Sequence, residues 1–177
     1  KPLTSGDYEC CRFINCDFFK SDFTGISFID CHFENCNLSM VMMAKTILRD
    51  VKFLNCKMLG IHFENCNQFG LTPYFENCNL SHSSFYQVKL KKTVFKNSNV
   101  QEVDFTETDL SNSIFNKCDL ANAKFENTIL EKADLRTAFN YSIDPEANHI
   151  KKAKFSLSGI RGLLYKYDVD IESDTGF

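Results

Sequence analysis

Nine cysteines, four histidines and several neighbouring carboxylates are the groups in this 177-residue sequence that could do chemistry. Cysteine with histidine suggests a metal site or a redox pair, and close acids such as Glu107 and Asp109 suggest acid–base work. Their spacing argues against each. The cysteines stand at 10, 11, 16, 31, 36, 56, 66, 78 and 118, and no two form the C-x₂-C pair of a zinc site. No glycine-rich phosphate loop and no nucleophile elbow occurs. The candidate chemistry therefore depends on what element carries these residues.

Composition narrows that element. A hydrophobic fraction of 44% and a charged fraction of 24% are those of a folded domain and exclude wholesale disorder. A net charge of −3 argues against a basic nucleic-acid binder, and no apolar run is long enough for a membrane span. The first residues lack an apolar signal core, so no secretory leader is expected in this sequence, and unpaired thiols at this density argue for a reducing compartment, the cytoplasm. Eighteen Phe beside no Trp is the odd feature.

Those phenylalanines recur with a period of five. Stepping from Tyr8 through Phe13, Phe18, Phe23, Phe28 and Phe33 to Leu135, every fifth residue is large and apolar except Gln68. One two-residue slip falls between Gln68 and Phe75. Two residues ahead of each lies a second column of small or β-branched residues, which takes in every cysteine but Cys10. A five-residue step smears around an α-helix and alternates faces on a flat strand. It stays on one interior only if the chain turns a corner once per repeat. Four corners close a square coil of 20 residues, and coils stack through parallel β hydrogen bonds. About 6.5 coils at about 4.8 Å each make a rod about 31 Å long. Phe13, Phe33, Phe53, Phe75, Phe95 and Phe115 then form one axial core column, and Asn15, Asn35, Asn55, Asn77 and Asn97 one corner ladder. In this frame the cysteines read as buried reduced thiols, with a disulfide or a metal site as the alternatives weighed. His32, His62, His82 and His149 fall on different walls or outside the repeats.

The repeats Cys-Asp-Leu-Ala-Asn (118–122), Ala-Lys-Phe-Glu-Asn (123–127) and Ala-Asp-Leu-Arg-Thr (133–137) resemble those of the pentapeptide-repeat proteins. The resemblance runs from Tyr8 to Leu135 and implies an all-β solenoid, a right-handed quadrilateral β-helix with a C-terminal capping α-helix. The expected organisation is a repeat β-helix over 1–140, with a short break at 68–74, followed over 141–177 by a closing loop, a last coil remnant and a helical tail. Ser156 is placed to cap a helix reaching about Tyr167, with Leu157, Ile160, Leu163, Leu164 and Tyr167 on one face. The helix must cover the end of the rod, where strand edges and Phe side chains would otherwise lie open; family resemblance implies that it also joins two copies into a homodimer, with capping alone as the alternative.

A convex rod without a cleft is a poor catalyst, so the expectation is a non-enzyme without cofactor or metal. It is expected to bind protein and neither nucleic acid nor membrane directly. The Qnr-type quinolone-resistance members of the family imply mimicry of duplex DNA toward DNA gyrase or topoisomerase IV. The candidate surface for that is acidic: Glu102, Asp104, Glu107, Asp109 and Asp119. Between Asn99 and Leu135 eight acids face three lysines, yet a duplex of the rod's length would carry about 18 negative charges. Upstream, Lys89, Lys91, Lys92 and Lys96 form a basic band that such a mimic would avoid. The alternative is a rigid scaffold for another protein partner, using the outward apolar residues Ile14, Leu54, Tyr74, Val94 and Ile114 of one wall.

Overall fold

A computed structural model describes residues 3–172; the outermost tail, 173–177, lies outside the described residues. The chain winds as a parallel β-solenoid of about six coils. Its strands are three or four residues long because a corner interrupts every repeat. Strands β1 (Asp7–Glu9), β3 (Ser27–Ile29) and β5 (Ile47–Arg49) form one three-stranded parallel wall. Strands β2 (Arg12–Ile14), β4 (His32–Glu34), β6 (Val51–Leu54), β7 (Pro73–Glu76), β8 (Val94–Lys96) and β9 (Ile114–Asn116) form a six-stranded one. Isolated parallel bridges, among them Asp17↔Asn37 and Asp22↔Met42, knit the two remaining walls.

The corners are set by backbone conformation. One residue in nearly every repeat has φ between 48° and 63°, including all five members of the Asn ladder. Asn suits that left-handed region because its side chain compensates locally. The N–H of each ladder Asn donates to a carbonyl of the next coil, from Asn15 to Glu34 (2.9 Å) through Asn97 to Asn116 (2.8 Å). The corner thus turns the chain without orphaning a buried donor.

Register follows the axial residues. Phe13, Phe33, Phe53, Phe75, Phe95 and Phe115 pair in sequence across β2–β4–β6–β7–β8–β9. Their rings form one face-to-face stack with centroids 4.7, 5.3, 5.4, 5.1 and 4.8 Å apart. Phe63, Phe85, Phe105 and Phe125 stack the same way on the opposite wall. The two stacks meet edge-to-face, as Phe85 does with Phe95 at 6.1 Å and 84°. That arrangement sets positive ring edges against negative faces, and each such pair contributes about 0.5–1.5 kcal/mol beyond burial. Leu and Val fill the other two walls in this half, including Leu80, Val100, Leu90 and Leu110, all fully buried. The axial column is buried from Phe18 to Leu135 with Gln68 exposed, and Tyr8 and Phe13 are half-buried at the first coil.

The two-residue slip is absorbed between Gln68 and Thr72. Gln68 points outward and its amide donates to the carbonyls of Phe63 (3.3 Å) and Cys66 (3.1 Å), while Leu71 supplies the buried apolar group. Gly70, at φ 73°, makes the bend, and Arg49 packs so close that a Cβ there would crowd its guanidinium. The three-stranded wall ends at this break; the six-stranded wall passes it intact, with Val51↔Pro73 through Leu54↔Glu76. Past Leu135 the bridges Ile129↔His149 and Asp134↔Lys154 continue the coil through the closing loop.

The closing helix differs from the continuous one expected from Ser156 to Tyr167. Ser156 does accept the Gly159 N–H on its Oγ (3.1 Å), but only Arg161–Leu164 are α-helical. Turns of 3₁₀ helix, Ser158–Ile160 and Tyr165–Tyr167, flank them. Gly159 and Gly162, weak helix formers, are present because the segment lies directly on Tyr141 and leaves no room for a Cβ at either position.

Replacing Phe95 with Ala should remove both stacked and edge contacts and cost about 3–5 kcal/mol of unfolding free energy in urea. Asn77→Gly should be close to neutral, whereas Asn77→Val should cost about 1–2 kcal/mol, because a β-branched residue resists the left-handed corner.

Candidate interaction surface

Around each axial residue the neighbours on either side and the corner residue project outward, as Val94, Lys96 and Asn97 do around Phe95. The position ahead of the axis is frequently Asp or Asn, and its side-chain oxygen accepts the N–H two residues on. Asp104 does so from Thr106 (2.8 Å), Asp109 from Ser111 (3.0 Å) and Asp119 from Ala121 (3.1 Å). Asn79 and Asn99 make the same turn with amides. Much of the acidity therefore serves local turn geometry.

The five acidic candidates do not share one wall. Asp104 bridges Ser84 and Lys124, Asp109 bridges Lys89 and Ile129, and Asp119 bridges Asn99 and Phe139. Glu102 and Glu107 occupy left-handed corners. Most are engaged by neighbours. Glu102 lies 3.0 Å from His82 Nδ1, Glu107 accepts from Gln87 (2.8 Å), and Asp119 accepts from Gln101 (2.6 Å) and Asn140 (2.9 Å). Partial burial opposes the charge on Asp109, but its bonds to Ser111 and the Lys91 ammonium at 3.2 Å win and hold its carboxyl below the usual range.

The apolar candidates all lie on the six-stranded wall but in two columns. Tyr74, Val94 and Ile114 are in direct register ahead of the axis, while Ile14 and Leu54 lie behind it. Glu34 stands between Ile14 and Leu54 in their column. Phe19, Met40 and Met42 are half-exposed, in keeping with positions outside both inward columns of the period, whereas Phe69, 80% exposed, lies in the break where the period gives no register.

The small inner column does more than save space. Its side chains donate to the axial carbonyl of the preceding coil: Cys36 to Phe13 (3.3 Å), Cys56 to Phe33 (3.4 Å), Thr108 to Phe85 (2.7 Å) and Thr128 to Phe105 (2.8 Å). Ser83 both donates to the Met58 carbonyl and accepts the Ile61 N–H. The enrichment of that column in Cys, Ser and Thr was its sequence signal. All nine thiols are free; Cys31, Cys36, Cys56, Cys66, Cys78 and Cys118 are buried, Cys11 and Cys16 half-buried, and Cys10 exposed. Burial, with help from Glu64, pushes the Cys66 thiol up to about 12, and burial pushes Cys118 up to about 11. Among the described residues no three His, Cys, Asp or Glu side chains gather to hold a metal ion.

At the closing end the five helix candidates divide. Leu163 packs against the core and Leu164 is half-buried, whereas Leu157 is 87%, Tyr167 48% and Ile160 39% exposed. The segment is fastened from outside by Lys166, 2.7 Å from both Asp144 and Glu146, which raises the lysine and lowers both carboxyls. Among the described residues no helix is long and apolar enough to cross a membrane.

Comparison with known proteins agrees with this geometry. The family described as "pentapeptide repeat region" matches residues 7–72 and 71–138. The full-length structure of QnrB1, a plasmid-mediated fluoroquinolone resistance protein, is similar at a TM-score of 0.58 and 18% identity, over 92% of this chain and 90% of that one. A trypsin-treated variant of the same protein gives 0.54 and 19%, over 97% and 95%. HetL, a pentapeptide repeat protein from the cyanobacterium Nostoc involved in heterocyst differentiation regulation, gives 0.37 and 10%, over 85% of each chain. No curated protein matches the sequence.

Native alkylation at pH 8 followed by mass spectrometry should label Cys10 first, Cys11 and Cys16 more slowly, and the six buried thiols only after unfolding. Because folding raises the Cys66 and Cys118 pKa values, their stabilising contribution is intact below the ordinary thiol value of about 8.5 and fades as pH rises through 11 to 12. Urea unfolding measured from pH 8 to 12 should show that decline.

Proposed function

This chain belongs to the pentapeptide-repeat family, and we propose that it is a non-catalytic protein-binding module, a rigid rod that presents its walls to a partner. The observation that carries this reading is the filled axis. Stacked phenyl rings and buried Leu side chains occupy the interior from coil to coil, so recognition has to use the outward side chains. Those side chains diverge from a convex surface, whereas catalysis needs groups that converge on one reacting atom. A backbone held by coil-to-coil hydrogen bonds lets them meet a partner with little ordering cost. Nine free thiols fit a reducing compartment, which favours the cytoplasm.

A second reading, duplex mimicry toward DNA gyrase or topoisomerase IV, draws on the likeness to QnrB1 and on the carboxylates Glu102, Asp104, Glu107, Asp109 and Asp119. The likeness is one of fold, and the carboxylates are divided among walls and tied into turns. Rigid binding of a different protein is therefore the preferred form. We also infer that two copies join through the closing segment, where Leu157, Ile160 and Tyr167 are exposed.

Supercoiling by gyrase, with and without a quinolone, separates the two partner readings. The preferred one expects no inhibition and no protection, together with capture of a non-topoisomerase partner that is lost when Val94 and Ile114 become Lys. Protection from the quinolone that disappears in Asp104→Lys and Glu107→Lys variants would establish mimicry instead. Sedimentation of Leu157→Asp/Ile160→Asp should give half the mass of the unsubstituted chain if the closing segment is the dimer contact.

A further inference from the structure

The rod's charge is divided across its section, and the basic side has a defined address. Where the three-stranded wall's direction continues below the break, the corner into the six-stranded wall carries Lys92, Asn112, Lys132 and Lys152 one above another. All four are left-handed, with φ of 63°, 59°, 58° and 59°. The corner amides confirm the stacking: Lys92 donates to Ser111, Asn112 to Glu131 and Lys132 to Lys151. Lys89, Lys151 and Lys154 stand beside this column, Lys154 bridging Asp134. All six lysines are exposed and none makes an ion pair among the described residues. The carboxylates that could offset them are few. Asp109 is held by Lys91 and Asp134 by Arg136 at 2.7 Å, leaving Glu131. On the far side, among the described residues, Asp104, Glu107 and Glu126 face only Lys124. A molecule of net charge −3 thus concentrates positive potential along one edge.

Beside that edge, on the six-stranded wall, runs the registered column Tyr74, Val94 and Ile114. On its far flank Lys96 pairs with Glu76 at 2.8 Å and Arg136 with Asp134, which leaves Lys117 at the far corner as the single unpaired cation there among the described residues. Unpaired positive charge therefore borders the apolar column mainly on one side.

We propose that this edge, from Lys92 to Lys152 with Val94 and Ile114 alongside, is a docking site for an acidic protein segment that carries aliphatic side chains among its carboxylates. The proposal rests on the protein-binding reading above and names the surface and the partner's chemistry. Lysine ammonium groups on flexible stems match carboxylates spread along an extended chain, and the apolar column takes the aliphatic groups between them. Val94 and Ile114 offer a nucleic-acid strand no aromatic face to stack on, and its phosphates would leave both unused.

Fluorescence anisotropy with the full chain tests this. The probes are a labelled peptide rich in Glu, Asp and Leu, poly-glutamate of equal length, and a short DNA duplex. The peptide should bind at 50 mM salt, weaken as salt rises, and bind more tightly than poly-glutamate or DNA. The variant Lys92→Glu/Lys132→Glu/Lys152→Glu should lose about tenfold or more in affinity. Val94→Ser/Ile114→Ser should lose several-fold for the peptide and nothing for poly-glutamate. Circular dichroism melting confirms that each variant is folded. Tighter binding of the duplex, equal loss on reversing Asp104 and Glu107, or no peptide binding at low salt would overturn the assignment. A captured partner that survives the lysine reversals would also sink this surface while leaving the protein-binding reading intact. Peptide binding without any captured partner would do the opposite.

Discussion

Everything in this rod depends on a corner that costs little. A left-handed residue once per repeat turns the chain by a quarter, and only then can every fifth side chain meet the same axis. The conformation is unfavourable for most residue types, by about 1–2 kcal/mol each. It is repaid by coil-to-coil amide bonds such as Asn35 to Leu54 and by dense aromatic stacking inside. Asn, which tolerates the left-handed region, is frequent at these sites; lysines occupy several corners as well, where a long side chain reaches water and only the backbone is constrained.

That constraint explains how much could be read from residues alone. Phe53↔Phe75 across a two-residue slip followed from period counting, because no other register keeps both rings inside. The thiols followed too, since Cys36 and Cys56 fall in the inner column. Periodicity carries no information about side-chain hydrogen bonds, however. The rungs from Cys, Ser and Thr to axial carbonyls, and the Asp turns that absorb much of the acidity, emerged only with geometry. Helical turns do run on to Tyr167, but they are broken into 3₁₀ and α pieces rather than one helix capped at Ser156, because apolar spacing does not register that Gly159 and Gly162 must press against Tyr141. The candidate surface was legible as residue types but not as a location. Acids close in sequence, such as Glu107 and Asp109, are carried around a corner to different faces.

The same winding separates sequence neighbours and unites residues 20 apart, so a surface here is composed down columns rather than along the chain. Lys92, Lys132 and Lys152 belong together although 60 residues separate the first from the last. Substitutions within one column can accumulate without disturbing the interior, since outward and inward positions are strictly segregated by the repeat. Binding specificity and structural integrity are written on different residues.

The break at Gln68–Thr72 gives the rod a fault line in one seam. Three strands of one wall stop there while the neighbouring sheet runs through, so the upper and lower coils are coupled on some sides more firmly than on another. In a solenoid, stability is a sum of nearest-neighbour interfaces. A weakened interface therefore behaves as a perforation: under mechanical tension the rod would tear first at that level, yielding two segments in separate force steps rather than peeling smoothly from one end.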